Sequence, residues 1–294
     1  MTTSQSPLVY QRGTLQFKAV RIQPLDSNGK PIPHPDGGVR IASGFILREP
    51  GGLFLYTCWH VVTGGIDRNT RKLPRNWIRP TTLRVESQLV TPLAEGTEGI
   101  GGRQEILIAL YNPDGSPRWA QDRQHIPDAD LNGVGLRFPF WHDAVKLLVN
   151  EHRVSGLQVV DAAPALTNHL LVPGDKVLIV GYPYGYSALG PNQPTPMVMT
   201  RFVAAMRTNK RRHELVLDGA AAPGMSGSPV FLEHDLQLYL VGLYTGALFP
   251  EPSERFAAAL GTFANMLLCW SHQSPLALDF SNVAPEAVAD PGEG

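Results

Sequence analysis

Residues 38–60 read GVRIASGFILREPGGLFLYTCWH, two apolar runs divided by a turn sequence. Both runs, GVRIASGFIL and GLFLYTC, are rich in β-branched and aromatic side chains, and Arg48-Glu49-Pro50-Gly51-Gly52 between them has the composition of a hairpin connection. The stretch predicts an antiparallel pair over 40–48 and 53–58, which the chain leaves directly at Trp59-His60 with a short helical turn to follow. Working outward, similar runs bounded by Gly, Pro, Asn or Asp predict strands at 14–23, 83–90, 104–112, 144–149, 176–182, 197–206, 213–218, 228–233 and 237–246. One segment departs from this pattern. In TFANMLLCWSH, 262–272, Phe263, Met266, Leu267 and Trp270 recur at helical spacing and predict a short C-terminal helix. Strands dominate and α/β alternation is scarce, so the expected class is all-β, a barrel or sandwich rather than a doubly wound sheet.

The 294 residues suffice for one large domain or two modest ones, and 29 glycines with 26 prolines fit many turns joining short elements. A hydrophobic content of 43% excludes a chain disordered throughout, while a net charge of −1 gives no global attraction to nucleic acid or to a membrane surface. The basic stretches Arg68–Arg79 and Lys210–Arg212 read as solvated loop faces. Two cysteines, Cys58 and Cys269, exclude a disulfide framework and every four-cysteine zinc site. The opening MTTSQSPLVYQRG lacks a basic head, an apolar run and a cleavage site, and no uninterrupted apolar stretch approaches about 20 residues. These features predict a soluble, cytoplasmic protein in a reducing compartment, without a membrane span. No internal repeat occurs. The expected organisation is a flexible N-terminus at 1–13, a first β unit at 14–150, a connection at 151–172, a second β unit with the terminal helix at 173–272, and a flexible tail at 273–294.

The segment with the strongest chemical content is GAAAPGMSGSPVF, 219–231. Glycine costs conformational entropy unless the backbone needs its freedom. Here Gly224 lets the loop turn so that its N–H and that of Ser226 face one spot, where a tetrahedral intermediate would place its oxyanion. Gly227 gives the serine room. The plainer reading of this stretch alone is a surface turn. A serine hydroxyl needs a base, and His60, at the exit of an apolar strand and followed by Val61-Val62, stands apart from the other histidines, though a lone histidine there is more often a core or turn residue. Asp143, in FPFWHDAVKLLV, opens an apolar strand. A carboxylate so placed is either buried with a partner or a strand-start turn residue.

TCWHVV, HDAVKLLV and PGMSGSPVF, in that order, resemble the three catalytic segments of the trypsin-like serine peptidases, nearer to the bacterial stress-protease and glutamyl-endopeptidase branches than to the digestive enzymes. His60 and Asp143 lie 83 residues apart, as do Asp143 and Ser226. ASGFIL resembles the family's strand before the histidine, and GYPYG and LVGLYTG resemble strands of its second barrel, so the similarity spans about residues 14 to 272. It implies two packed antiparallel β-barrels, His60 and Asp143 on the first and Ser226 on the second, with substrate in the crevice between them. It further implies a serine endopeptidase: Ser226 as nucleophile, His60 as base, Asp143 as its orienting carboxylate, Gly224 and Ser226 amides as the oxyanion hole, and Thr245 as a hydroxyl supporting Asp143. A protein or peptide substrate and a regulatory protein partner follow, in an intracellular regulatory role. The alternative is an inactive trypsin-like module that binds peptides without cutting them.

The departures from the family pattern shape what else is expected. Cys58-Trp59 precede His60 where small residues are usual; Met225 stands where members activated by trimming carry an aspartate, and no Ile-Val-Gly-Gly start is present. Long insertions, including AEGTEGIGGRQ and NPDGSPRWAQDRQ, are expected to form extra hairpins over the cleft. Ala220 falls where members cutting after Arg or Lys carry an aspartate, and Tyr244 where glutamate-cutting members carry a histidine. A pocket lined by Ala220, Ala221, Tyr244, Gly246 and Ala247 therefore predicts small or medium apolar specificity. No metal is expected, because His142-Asp143 has no supporting cluster, and no cofactor, because Gly99-Ile100-Gly101 lacks the strand, later glycine and helix of a dinucleotide loop. An α/β-hydrolase elbow fails, since Ser228 sits where G-x-S-x-G needs glycine and the order of acid, base and nucleophile is wrong.

Overall fold

A computed structural model describes residues 15, 17–34, 37–49, 51–64, 77–94, 97–122, 143–149, 154, 157–161, 171–190, 193–209, 212–219, 222–234, 237–248, 266–271 and 278–279. The expected hairpin is present as β2 (Ala42–Glu49) and β3 (Gly52–Thr57), antiparallel with Phe45 opposite Tyr56 and their rings stacked at 5.2 Å. Around it lie β1 (Val20–Leu25), β4 (Thr82–Ala94), β5 (Thr97–Ala109), β6 (Trp119–Asp122), β7 (Val145–Val149), β8 (Val159–Asp161) and β15 (Leu278–Asp279), in the order β15-β6-β7-β3-β2-β1-β4-β5 with β8 on β2. β2 gives residues 42–44 to β1 and 46–48 to β8 along one edge, so the sheet turns a corner there. Thr97–Gln104 of the AEGTEGIGGRQ segment pairs in the outer part of the long β4–β5 ladder. That hairpin carries Glu86, a buried carboxylate whose oxygens meet Arg21 at 2.6 Å and Arg103.

The second sheet is a closed antiparallel barrel. Its strands are β9 (Lys176–Gly181), β10 (Met197–Asn209), β11 (Arg212–Leu217), β12 (Pro229–His234), β13 (Gln237–Leu248) and β14 (Met266–Ser271), joined in the order β10-β11-β14-β13-β12-β9. The expected helix at 262–272 is corrected here: Met266–Ser271 is a strand, paired to β11 on one edge and β13 on the other. Over a short apolar run such as MLLCW, helical spacing and continuous strand burial give the same signal. Barrel closure decides between them, since β14 occupies edges of β11 and β13 that would otherwise be unpaired. Leu278–Asp279, in the tail expected to be flexible, pairs with β6.

Strand alternation explains how the two sheets share a core. On β9, Val177 and Ile179 point into the barrel, while Leu178 and Val180 join Phe45, Ile46 and Leu55 of the first sheet in one apolar cluster. β12 divides likewise, with Val230 and Leu232 inside the barrel and Phe231 in the shared cluster. Strands buried on both faces read as continuous apolar runs, which is why KVLIV and PVFL were so legible. The junction of the sheets is where the candidate residues collect.

Candidate active site

His60 lies in the first turn of α1 (Trp59–Thr63), a five-residue helix that starts two residues after β3 ends. Helix starts leave backbone N–H groups without intrahelical acceptors, and here the preceding residue, Cys58, makes no side-chain cap. Asp143 supplies the acceptor instead. Its Oδ1 takes the His60 backbone N–H at 3.0 Å, and its Oδ2 lies 2.5 Å from His60 Nδ1. Register makes this possible: Thr57 pairs with Val145 at the end of the β3–β7 ladder, so Asp143, two residues before Val145, lies level with the start of α1. The carboxylate thereby fixes both the backbone and the ring of one histidine. Their side chains are 14% and 24% exposed, which leaves the imidazole open to a reacting partner while sheltering the acid.

Ser226 sits in the loop between β11 and β12, flanked by Gly224 at φ +89° and Gly227 at φ +91°. Left-handed values favour glycine, and close approach makes these positions stricter still. A Cβ at Gly224 would lie 2.3 Å from the Tyr182 carbonyl oxygen, and one at Gly227 2.0 Å from that of Ser43 and 2.6 Å from Thr57 Oγ1. The loop is thus pressed against β2 and β3, three residues before His60. Ser43, wholly buried on β2, holds it at two points: its N–H donates to the Ser226 carbonyl at 2.8 Å, and its hydroxyl donates to the Gly224 carbonyl at 2.8 Å while accepting Tyr182 N–H at 3.1 Å. The Tyr244 carbonyl ties both sides together, accepting Gly227 N–H at 2.8 Å and Cys58 Sγ at 3.3 Å. Ser226 is half-buried, and among the described residues its hydroxyl and the N–H groups of Gly224 and Ser226 have no hydrogen-bond partner.

The remaining expected residues are distributed unevenly. Thr245 falls at the register shift of β13 between Tyr244 and Gly246, half-buried. Tyr244 packs in the barrel core with Met225 and Ile179. Gly246 has open space where a Cβ would project. Ala220 and Ala221 lie outside the described residues, and Ala247 continues β13 opposite Leu267. Cys58, His60 and Asp143 offer three ligand atoms within 4.8 Å, the one such group among the described residues, but those atoms already serve one another and the Tyr244 carbonyl. Two residues near the site were not singled out in the sequence. Ser43 falls inside an apolar strand run, where a serine is itself a usable signal. Arg201 lies on β10 between Met199 and Val203, on the face that packs into the barrel, and a Cβ at Gly219 would lie 2.6 Å from its Nε.

A closed antiparallel barrel packed on a second β sheet, with an acid-held histidine and a glycine-flanked serine at their junction, defines the serine endopeptidase class. The chain belongs to the trypsin-like peptidase family: residues 42–243 match the family model described as Trypsin-like peptidase domain. Comparison with curated proteins gives no match. Among solved structures, the chain is similar to a thermostable serine protease from an extremophilic microorganism, with 12% identity, 88% of this chain and 92% of the other covered, and a TM-score of 0.42. It is also similar to the protease Anisep from Arthrobacter nicotinovorans, at 10% identity, 87% and 90% coverage and a TM-score of 0.47. A serine endoprotease from Yersinia pestis matches at 16% identity over 90% of this chain and 63% of the other, with a TM-score of 0.41. No helix among the described residues is long and apolar enough to cross a membrane.

Proposed function

We propose that this serine endopeptidase works through Ser226, His60 and Asp143. The observation that carries the reading is the double hold of Asp143 on His60, ring Nδ1 and backbone N–H together. A carboxylate on Nδ1 keeps the proton there, so that Nε2 is the free base and the imidazolium formed during attack is stabilised. Ser226 Oγ attacks the substrate carbonyl carbon as its proton passes to His60 Nε2; the oxyanion forms opposite the Gly224 and Ser226 N–H groups, each worth about 3 kcal/mol to the transition state. Collapse breaks the C–N bond, the proton leaves with the amine, and water repeats the sequence on the acyl-enzyme. Thr245 supports Asp143 from β13. Beyond Leu243, β13 no longer pairs with β12, and this edge beside the nucleophile loop suits an extended peptide laid on as an added strand.

The acyl-side pocket, bounded by Ala220, Ala221, Tyr244 and Gly246, takes a small or medium apolar side chain. One observation favours a second reading of specificity. Arg201 stands beside Gly219 with a buried Nε that has no partner, and a substrate carboxylate would satisfy it. Cleavage profiling on a peptide library separates the two, apolar residues before the cut favouring the first and acidic ones the second. The buried thiol of Cys58 accords with a reducing, intracellular setting, where the enzyme acts on protein substrates in a regulatory role. A fluorophosphonate probe tests the chemistry: labelling of the wild type that is lost in Ser226→Ala supports the nucleophile, and no labelling of a folded, monodisperse wild type would favour a peptide-binding module.

A further inference from the structure

We infer that Cys58, His60 and Asp143 form an inhibitory site for a soft divalent cation, zinc above all, which binds His60 through the nitrogen facing Asp143 and so removes the catalytic base; this rests on His60 being that base. Their ligand atoms, a thiol sulfur, an imidazole nitrogen and a carboxylate oxygen, all lie within 4.8 Å of one another. No spacing in the sequence announces the set. Cys58 and His60 flank Trp59 at the start of α1, and the register of β7 on β3 brings Asp143 level with them from 83 residues beyond His60. Among the described residues no other three such side chains come as close.

The donor set suits zinc. Thiolate and imidazole select zinc over magnesium and calcium, and a carboxylate completes three protein ligands with water as the fourth. Zinc at about 2.0–2.3 Å from each donor sets tetrahedral donors about 3.3–3.6 Å apart. Asp143 Oδ2 and His60 Nδ1, at 2.5 Å, have to part and the widest pair to close, each by about 1 Å, which is within reach of side-chain torsions. Asp143 Oδ1 meanwhile keeps the His60 backbone N–H at 3.0 Å, so the helix start stays anchored. The imidazole and carboxylate are 24% and 14% exposed and give the ion its way in, while the fully buried Cys58 closes the site from within.

In the structure these groups are bonded through protons: the Cys58 thiol donates to the Tyr244 carbonyl at 3.3 Å, and His60 Nδ1 bonds to Asp143 Oδ2. The ion takes the place of those protons. The thiol loses its proton to solvent as the Zn–S bond forms, whereas the neutral imidazole keeps its single proton and moves it from Nδ1 to Nε2. One proton is released, and a thiolate and a carboxylate balance the two charges of the ion. The nitrogen that would accept the Ser226 proton is then already protonated, so the nucleophile has no base. A chelator reverses each change.

The test starts from reduced, metal-free protein. Cobalt(II), a spectroscopic stand-in for zinc, is titrated into wild type, Cys58→Ala and Cys58→Ser. Wild type should bind one ion with a sulfur-to-cobalt charge-transfer band, and both variants, which retain Cys269, should lack it. Zinc chloride is then titrated into peptide hydrolysis, read as kcat/KM relative to the same protein without zinc. Zinc at about 10 µM should leave about a tenth of wild-type activity, as for a Kd of about 1 µM, and excess EDTA should restore it. Both variants should need at least about a hundred-fold more zinc, because even the outer partners of a metal ligand are worth about 10–100-fold in affinity. Equal zinc sensitivity in wild type and variants, or a cobalt spectrum without the sulfur band, would overturn the site. A wild type that shows the band yet, free of metal, neither reacts with a fluorophosphonate nor cuts any peptide would leave the metal site standing and overturn the catalytic reading instead.

Discussion

His60 and Asp143 meet through side chains, whereas the loop bearing Ser226 is held almost wholly through its backbone. On the first side, a carboxylate spans from the start of β7 to the start of α1 and satisfies a ring nitrogen and a helix N–H together. On the second, carbonyls of Gly224 and Ser226 are fixed by Ser43, Gly227 N–H by Tyr244, and the peptide before Gly224 by Tyr184. The difference teaches where each side is vulnerable. The acid-histidine pair depends on which functional groups are present. The serine loop depends on where Cβ atoms are absent and on partners that a sequence does not advertise.

The largest effects should come from removing functional groups. Ser226→Ala and His60→Ala should each lower kcat for peptide hydrolysis by about a million-fold, and the double variant by little more, because members of such a set act as a unit. Asp143→Asn should cost about ten-thousand-fold. Circular dichroism should be unchanged for Ser226→Ala. Steady-state kinetics on an optimised peptide check all three, and near-normal activity in Asp143→Asn would mean that another carboxylate orients His60.

Next come changes to the backbone-held side that leave every reacting group in place. Gly227→Ala puts a methyl group against the Ser43 carbonyl and Thr57 hydroxyl at a left-handed φ. The strain should cost about 1–3 kcal/mol of stability, and displacement of Ser226 by about 1 Å should lower kcat about a hundred-fold. Ser43→Ala leaves the Gly224 carbonyl and Tyr182 N–H buried without a partner, at about 1–3 kcal/mol each, with a smaller fall in fluorophosphonate labelling rate than Gly227→Ala. Thermal melts paired with labelling kinetics read both. Were Ser43→Ala harmless to each, the loop would be held by its glycines alone and the contrast between the two sides would weaken.

That contrast also explains what was legible in the sequence. Expected strands coincide with β2, β3, β7 and β9 through β13 because long apolar runs report burial directly. β6 and β8 are short, and Trp119–Asp122 carries too little apolar pattern to stand out. The glycine-rich AEGTEGIGGRQ joined the β4–β5 ladder because glycine weakens a strand without forbidding its pairing. His60, Asp143 and Ser226 were readable because their role lies in side-chain identity and order. Tyr184 is not, since it acts through its main-chain N–H and nothing in a tyrosine's identity signals a left-handed backbone; Ser43, a serine inside an apolar run, signals a buried hydroxyl but not which carbonyl it holds. Met266–Ser271 departs from the expected helix because barrel closure, a property of the whole sheet, outweighs local spacing.

The smallest expected effect lies where Cys58, two residues before His60, reaches the serine loop's partner strand through its side chain. Cys58, buried next to His60, donates its S–H to the Tyr244 carbonyl, which already accepts Gly227 N–H. Thiol hydrogen bonds are weak, and the carbonyl keeps its stronger donor when the sulfur is removed. Cys58→Ala should therefore cost about 1 kcal/mol in stability, mostly from lost packing of one buried group, and change kcat/KM by less than about threefold. If instead the variant keeps its melting temperature while kcat falls a hundred-fold, the sulfur positions His60 against Ser226. The two sides would then be coupled through side chains as well as backbone. Double-mutant analysis with Ser43→Ala sharpens the outcome: additive losses mean that Cys58 and Ser43 act on separate sides, whereas a coupling above about 0.5 kcal/mol would show one continuous network around the Tyr244 carbonyl.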